Sequence, residues 1–524
     1  MIRIICALLL AVTGASSARA LTTEALVDSL QHTAFNYFWN EANPSNGLIK
    51  DRSTPGSPCS IASTGFGLSA ICVGIDHGWV SRTDGRARIL AALNTFWTQP
   101  QGSGGSGTIG YKGLYYHFLD MNTATRTWNS EVSTIDSALL FAGVIHAREY
   151  FWRTEPGDIQ VRTLADSIYR RADWNFFRNG SQGILMGWKP GSGFSGFGQW
   201  TGYNEAMILY ILALGSPTHA VPDNAWSAWT SGYRWLNYNG WSFVSFPPLF
   251  GHQYSHCWID FRYIRDVYMQ AQGITYFENS RRATLAQRDY CVYNPGHFPG
   301  YGENLWGLTA CDDPYQGYLA HGAPPGQNDN GTLAPTAPAG SIAFAPDAVI
   351  PVLQNMYDTY HSQLWGRYGF KDAFNLAANW WDTDYLGIDE GPIILMSENY
   401  LNGRVWDRVS GNADIARGLQ HAGFALAAGV AGDGSAGRSD VRLDLTPNPF
   451  RRSTSLTFDL PAPGRVTLVV ADVTGRVVSR LADGDFDAGP HLAVLSGRDL
   501  PAGIYYVKLQ YDGRALRRRC VLVK

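Results

Sequence analysis

Apolar residues in the first four-fifths of the chain recur with a period near 3.6. Thr134-Ile-Asp-Ser-Ala-Leu-Leu-Phe-Ala-Gly-Val-Ile shows the spacing i, i+3, i+4, i+7, which marks one face of a helix. The same test predicts helices over 25–40, 62–78, 84–98, 134–152, 160–178, 203–214, 222–232, 257–271, 276–291 and 340–361, with shorter ones near 395–402 and 411–424. Ala206 to Leu214 is apolar on every side, so that helix must be covered all round. About twelve helices, joined alternately by short turns and long aromatic loops, suit a double ring of helical hairpins, an (α/α) toroid whose loops form a wide cleft at one end; a plain helical bundle, the alternative, would not need so many long loops. No alternating strands are expected before residue 440. Beyond it the period drops to two, as in Arg465-Val-Thr-Leu-Val-Val and Ile504-Tyr-Tyr-Val-Lys-Leu, which predicts a small all-β antiparallel sandwich.

Composition sharpens the division. The chain holds 18 Trp, none beyond Trp406. Residues 441–524 carry 13 Lys and Arg against 8 Asp and Glu, while residues 21–440 are acidic. Residues 1–20, one early Arg, an apolar core and small residues at Ala18 to Ala20, have the pattern of a secretory signal peptide. The expected organisation is a leader at 1–20, a helical domain at 21–424, a Gly/Ala/Ser linker at 425–440 and the sandwich at 441–524. Net charge gives no reason to expect nucleic acid as a partner. Six cysteines outside the leader show no CxxC pair, so a zinc site is not expected and several should be buried thiols.

A cleft rich in Trp and Tyr suits sugar rings, whose C–H faces pack on aromatic faces while their hydroxyls need hydrogen bonds. Trp128, Trp188, Trp200 and Trp306 sit among Gly and polar neighbours in loops. Glycoside hydrolysis usually requires one protonated and one ionised carboxyl. Glu205, behind Trp200 and Tyr203, heads the apolar run and should project into the mouth of the ring. Burial there favours the neutral acid, the helix N-terminus the charged one, and a plain N-terminal cap is the structural alternative. Asp136 is a second lone acid in an apolar helix. Asp389 and Glu390 precede a third buried run. Asp312 lies in a loop, and Asp260 has Arg262 as a near neighbour. His252 and His256 lack a third ligand at recognised spacing, which makes sugar contacts the better expectation; no metal or other cofactor is expected.

The stretches S-T-I-D-S-A-L-L-F-A-G, G-Y-N-E-A-M-I-L-Y-I-L-A-L-G-S-P-T-H, P-P-L-F-G-H-Q-Y-S-H-C-W-I-D-F-R, L-W-G-R-Y-G-F-K-D-A-F-N and D-Y-L-G-I-D-E-G-P-I-I-L-M closely resemble the glycoamylase-like domain of glycoside hydrolase family 144, from about residue 25 to 424. The resemblance implies an (α/α)6 barrel and an endo-β-1,2-glucanase that produces sophorooligosaccharides with inversion. It gives Glu205 the general-acid role, with Asp136 and Asp389 as the other catalytic acids. Trp200, Tyr203, His252, His256, Arg262, Trp306 and Asp312 are the expected substrate contacts. Cys257 and Glu390 stand where Leu and Gln are expected. The stretches T-P-N-P-F, D-V-T-G-R and A-G-I-Y-Y-V-K-L resemble FlgD Ig-like and type IX sorting modules, which implies outer-membrane secretion machinery as a partner and a secreted or surface-held protein in a Gram-negative bacterium; a monomer is expected. The alternatives are a transglycosylase or α-glucan hydrolase on the same fold, and a glucan-binding protein without turnover.

Overall fold

The computed structural model describes residues 22–427, 441–451, 453–472, 476–498, 500–512 and 514–523. The leader and most of the linker lie outside these residues, as does the centre of the D-V-T-G-R stretch. The helices of seven or more residues are α1 (Thr23–Asn40), α2 (Ile61–Asp76), α3 (Arg82–Thr98), α4 (Thr134–Tyr150), α5 (Pro156–Arg170), α6 (Met207–Gly215), α7 (Asn224–Thr230), α8 (Tyr276–Tyr293), α9 (Pro346–Leu364), α10 (Gly387–Leu401) and α11 (Ala413–His421). Among the described residues, no helix is long and apolar enough to cross a membrane.

These helices form the expected double ring. The inner ones, α2, α4, α6 and α10, are buried on nearly every face, as all-round apolar sequence requires. The other two inner positions are held by buried stretches with single-turn helices, Phe250–Gln253 and Thr336–Ala339. Of the helix expected over 257–271, only the end forms, as Val267–Gln272. Asp260 Oδ1 takes the Arg262 backbone N–H at 3.0 Å and its guanidinium at 2.9 Å, a local closure that competes with the helical ladder. The helix expected from residue 203 begins at Met207 instead. Short strands also occur before residue 440, the longest being the hairpin Trp235–Tyr238/Trp241–Val244.

Close helix approach depends on glycine. A Cβ on Gly143 of α4 would fall 1.9 Å from the Gly65 carbonyl of α2, and one on Gly65 would fall 2.4 Å from the Leu139 carbonyl. The N-termini of the inner helices share one end of the ring. There Ser60 and Ser133 cap α2 and α4, and two-residue antiparallel pairings, Cys59–Ser60 with Phe118–Leu119 and Val132–Ser133 with Gly187–Trp188, bind the loops together.

The C-terminal region is a seven-stranded antiparallel sandwich: β1 (Arg442–Thr446), β2 (Ser453–Leu460), β3 (Gly464–Asp472), β4 (Val477–Phe486), β5 (Gly489–Ser496), β6 (Gly503–Tyr511) and β7 (Arg514–Leu522). One sheet has the order β1-β2-β5, the other β4-β3-β6-β7. Leu443, Leu456, Phe458, Leu468, Val470, Val507 and Leu509 close the core between them. The six described cysteines are all free and buried, five in the ring and Cys520 in the sandwich.

Candidate active site

Glu205 lies on the turn that leads into α6. Its Oε2 is shielded from solvent without a hydrogen-bond partner, and its backbone carbonyl accepts from Ser255 Oγ at 3.4 Å. Burial, with help from the neighbouring Asp136 charge, raises its pKa to about 7. Asp136 occupies the first turn of α4, where Ser133 Oγ both donates to its carboxylate and accepts from its backbone N–H at 3.2 Å. His117 Nε2 stands 3.6 Å from Asp136 Oδ2, and His117 Nδ1 lies 3.0 Å from Glu131 Oε1. Burial opposes a charge on this ring, but Asp136, Glu131 and Asp51 outweigh it and raise its pKa to about 9.

Asp389, in the first turn of α10, is buried, and burial pushes its pKa up to about 8. Its carboxyl pairs with that of Asp372, whose pKa burial and Asp389 also raise. Two such groups cannot both ionise at close range, so the pair retains a proton at neutral pH. Asp372 Oδ2 accepts the Asp312 backbone N–H at 2.7 Å, and Asp312 Oδ2 takes Arg52 Nη1 at 2.8 Å. The Tyr254 hydroxyl feels the charges of Asp389, Glu205 and Asp136 together, which sets it among the three acids. Asp312, Asp372 and Asp382 also bring one carboxylate oxygen each within 4.8 Å of one another. The Arg52 guanidinium and the retained proton already offset that charge, which leaves a hard cation little to gain.

Glu205, Asp136, Asp389 and Asp312 thus meet at one mouth. Trp200 joins them, its indole Nε1 donating to Thr134 Oγ1 at 3.0 Å. Several expected substrate contacts are placed elsewhere. Tyr203, His252, His256 and Trp306 are buried. The Tyr203 ring packs on His252 and Tyr276, and its hydroxyl meets Ser280 Oγ, as does His256 Nε2 at 3.2 Å. Burial lowers His252 to about 3 and His256 well below its ordinary value. These neutral rings belong to the core, and no face of them is open to a sugar. Arg262 forks onto Asp260 and stacks on Trp406 at 4.5 Å, a structural role that replaces the expected substrate contact. His117, Glu131, Asp51, Arg52, Asp372 and Tyr254 were not foreseen. Their partners are distant in sequence, so no local pattern assigns them a place in the site.

Fold and site together define an α/α toroid of the glucoamylase type, with buried acids of unequal protonation gathered at the helix N-termini. The glycoamylase family model, described as "Putative glucoamylase", matches residues 198–413. A solved structure described as a glucoamylase from Bacteroides uniformis is 34% identical, with a TM-score of 0.72, over 78% of this chain and 99% of that one. The chain belongs to this glycoamylase family. An endo-β-1,2-glucanase from Chitinophaga pinensis, solved with sophorotriose and glucose, is 27% identical with a TM-score of 0.72, over 78% of this chain and 99% of that one. An exo β-1,2-glucooligosaccharide sophorohydrolase (non-reducing end) from Parabacteroides distasonis is 30% identical over 76% of this chain, which covers 58% of that protein.

Proposed function

We propose that the protein is a glycoside hydrolase that cleaves β-1,2-glucan internally, with inversion and without a cofactor. One observation carries the chemistry: Glu205 holds a buried, partnerless carboxyl oxygen, raised by burial to about 7, near Asp136, which faces the His117 ring. Glu205 protonates the departing glycosidic oxygen. Asp136 accepts a proton from the attacking water, directly or through a sugar hydroxyl. The Asp389–Asp372 pair, which retains a proton at neutral pH, binds a sugar hydroxyl. The likeness to β-1,2-glucan-acting relatives supports the substrate.

The exo-acting relative favours a second reading, release of sophorose from the non-reducing end. Purified protein and a Glu205→Gln variant, each incubated with linear β-1,2-glucan and with amylose, test both. The expected result is a ladder of sophorooligosaccharides from β-1,2-glucan alone, lost by a factor of about 10²–10⁴ in the variant. Sophorose alone from the first time point would establish the exo reading, and amylose cleavage would remove the β-1,2 assignment. The leader pattern at 1–20 and the resemblance of the sandwich to sorting modules support an exported protein. Fractionation of cells that express the full chain checks that assignment.

A further inference from the structure

Trp128 is 63% exposed and is held there by an unfavourable backbone. Trp128 and Asn129 have φ of +54° and +53°, and the Ser130 N–H closes the turn onto the Thr127 carbonyl at 3.1 Å. Two left-handed central residues are what Asn and Gly supply; a bulky side chain there is a steric outlier. Such strain persists where the surroundings enforce it, and it gathers at functional sites. The surroundings do enforce it here. The Thr127 N–H bonds the Phe118 carbonyl at 3.1 Å, and Arg126 Nε donates to the Ser130 carbonyl at 2.6 Å. Phe118 supports the indole with ring centroids 5.0 Å apart and stacks on His117 at 3.9 Å. The exposed indole is therefore fixed, two rings away from the partner of Asp136.

The same indole lines a cavity of about 650 Å³, together with Asn40, Asn43, Lys50, Asp120 and Asn122. That size falls within the range of small-molecule sites. Asp120 orders one wall by accepting the Asn122 and Thr123 backbone N–H groups at 2.9 and 2.8 Å. An aromatic face set among amide and charged groups matches a hexose, apolar on one face and hydroxylated at its edge. We propose that Trp128 is the platform of a distal glucosyl subsite at the rim of the cleft, which holds the substrate chain several sugars away from the bond being cut. This rests on the β-glucan reading above and adds a length-dependent affinity to it.

The test uses Trp128→Ala, Trp128→Tyr and Trp128→Asn in the full chain, with kcat/KM measured on β-1,2-glucooligosaccharides of increasing length and on the polymer. Trp128→Ala is expected to lose about tenfold on the polymer, mainly through KM, against less than threefold on the shortest oligomer cleaved. Trp128→Tyr should restore most of the loss. Trp128→Asn, suited to the left-handed turn, should melt at or above the wild-type temperature while showing the same polymer defect; a merely structural Trp would lower Tm instead. Equal losses at all lengths, or a lowered Tm with normal length preference, overturn the subsite. If the wild type is inert on β-1,2-glucan, the substrate reading fails separately. Titration of Glu205→Gln, with and without Trp128→Ala, against a panel of glucans then decides: weaker binding in the double variant supports the subsite, and equal binding overturns it.

Discussion

Glu205→Gln should stabilise the protein while it abolishes activity, and the stabilisation should grow with pH. The Glu205 carboxyl titrates near 7 when folded, against an ordinary value of 4.5. Between these values the folded state binds a proton that the unfolded state has released, so folding loses free energy as pH rises through the interval. The penalty is complete above pH 7, where 2.5 units correspond to up to about 3.4 kcal/mol. At pH 5 the same linkage yields only about 1 kcal/mol. Gln keeps the shape and cannot ionise, so it escapes the penalty. The two proteins should differ little at pH 5 and by roughly 3 kcal/mol at pH 8, which for a domain of this size is a Tm difference of about 3 °C or more. Calorimetry of the helical domain's transition in the full chain, at both pH values, measures it. A difference that stays constant with pH, or one that favours the wild type at pH 8, would refute the claim that burial holds this carboxyl protonated.

Three further outcomes follow from the same geometry. Because His117 is raised to about 9 from 6.5, its pairing stabilises the fold fully below pH 6.5 and is lost as pH rises through 9. His117→Gln should therefore cost up to about 3 kcal/mol at pH 6 and little at pH 9.5, as read from denaturation curves. Gly143→Ala, which drives a methyl into the Gly65 carbonyl, should cost about 1–3 kcal/mol and reduce turnover by moving Asp136; melting curves and initial rates check it. Burial and Asp389 raise the Glu390 carboxyl well above its ordinary value, so it is a neutral isostere of Gln, and Glu390→Gln should keep Tm within about 2 °C of wild type.

What the sequence reveals divides along the range of the interactions. Lone acids in apolar helical patterns stand out, so Asp136 and Glu205 are legible as candidates, whereas Asp389 stands beside Glu390 and is singled out only by the family resemblance. All-round apolarity likewise identified the inner position of α6. His117 and Glu131 could not be read, because His117 meets Asp136 and Glu131 across short strand pairings that leave no period. His252 and Trp306 look like site residues in a list of polar and aromatic positions, yet packing alone decides which way such rings turn. The helix expected over 257–271 is cut back to Val267–Gln272, because Asp260 closes onto Arg262 near its expected start. In the sandwich, β4 and β5 carry a weak alternating signal because they are only half buried, and register shifts between Leu468 and Val469 and between Val470 and Ala471 interrupt the pairing of β4 with β3.

The buried free thiols make the protein its own unfolding gauge. Burial raises Cys59, Cys72, Cys257, Cys291, Cys311 and Cys520 above the ordinary thiol range, so none reacts with an alkylating reagent until its surroundings open. Five report on the ring and one on the sandwich. A brief alkylation pulse followed by mass spectrometry would therefore show one added label when the sandwich opens alone and five when the ring does. That reads the order in which the two domains come apart from an unmodified chain, without an engineered probe.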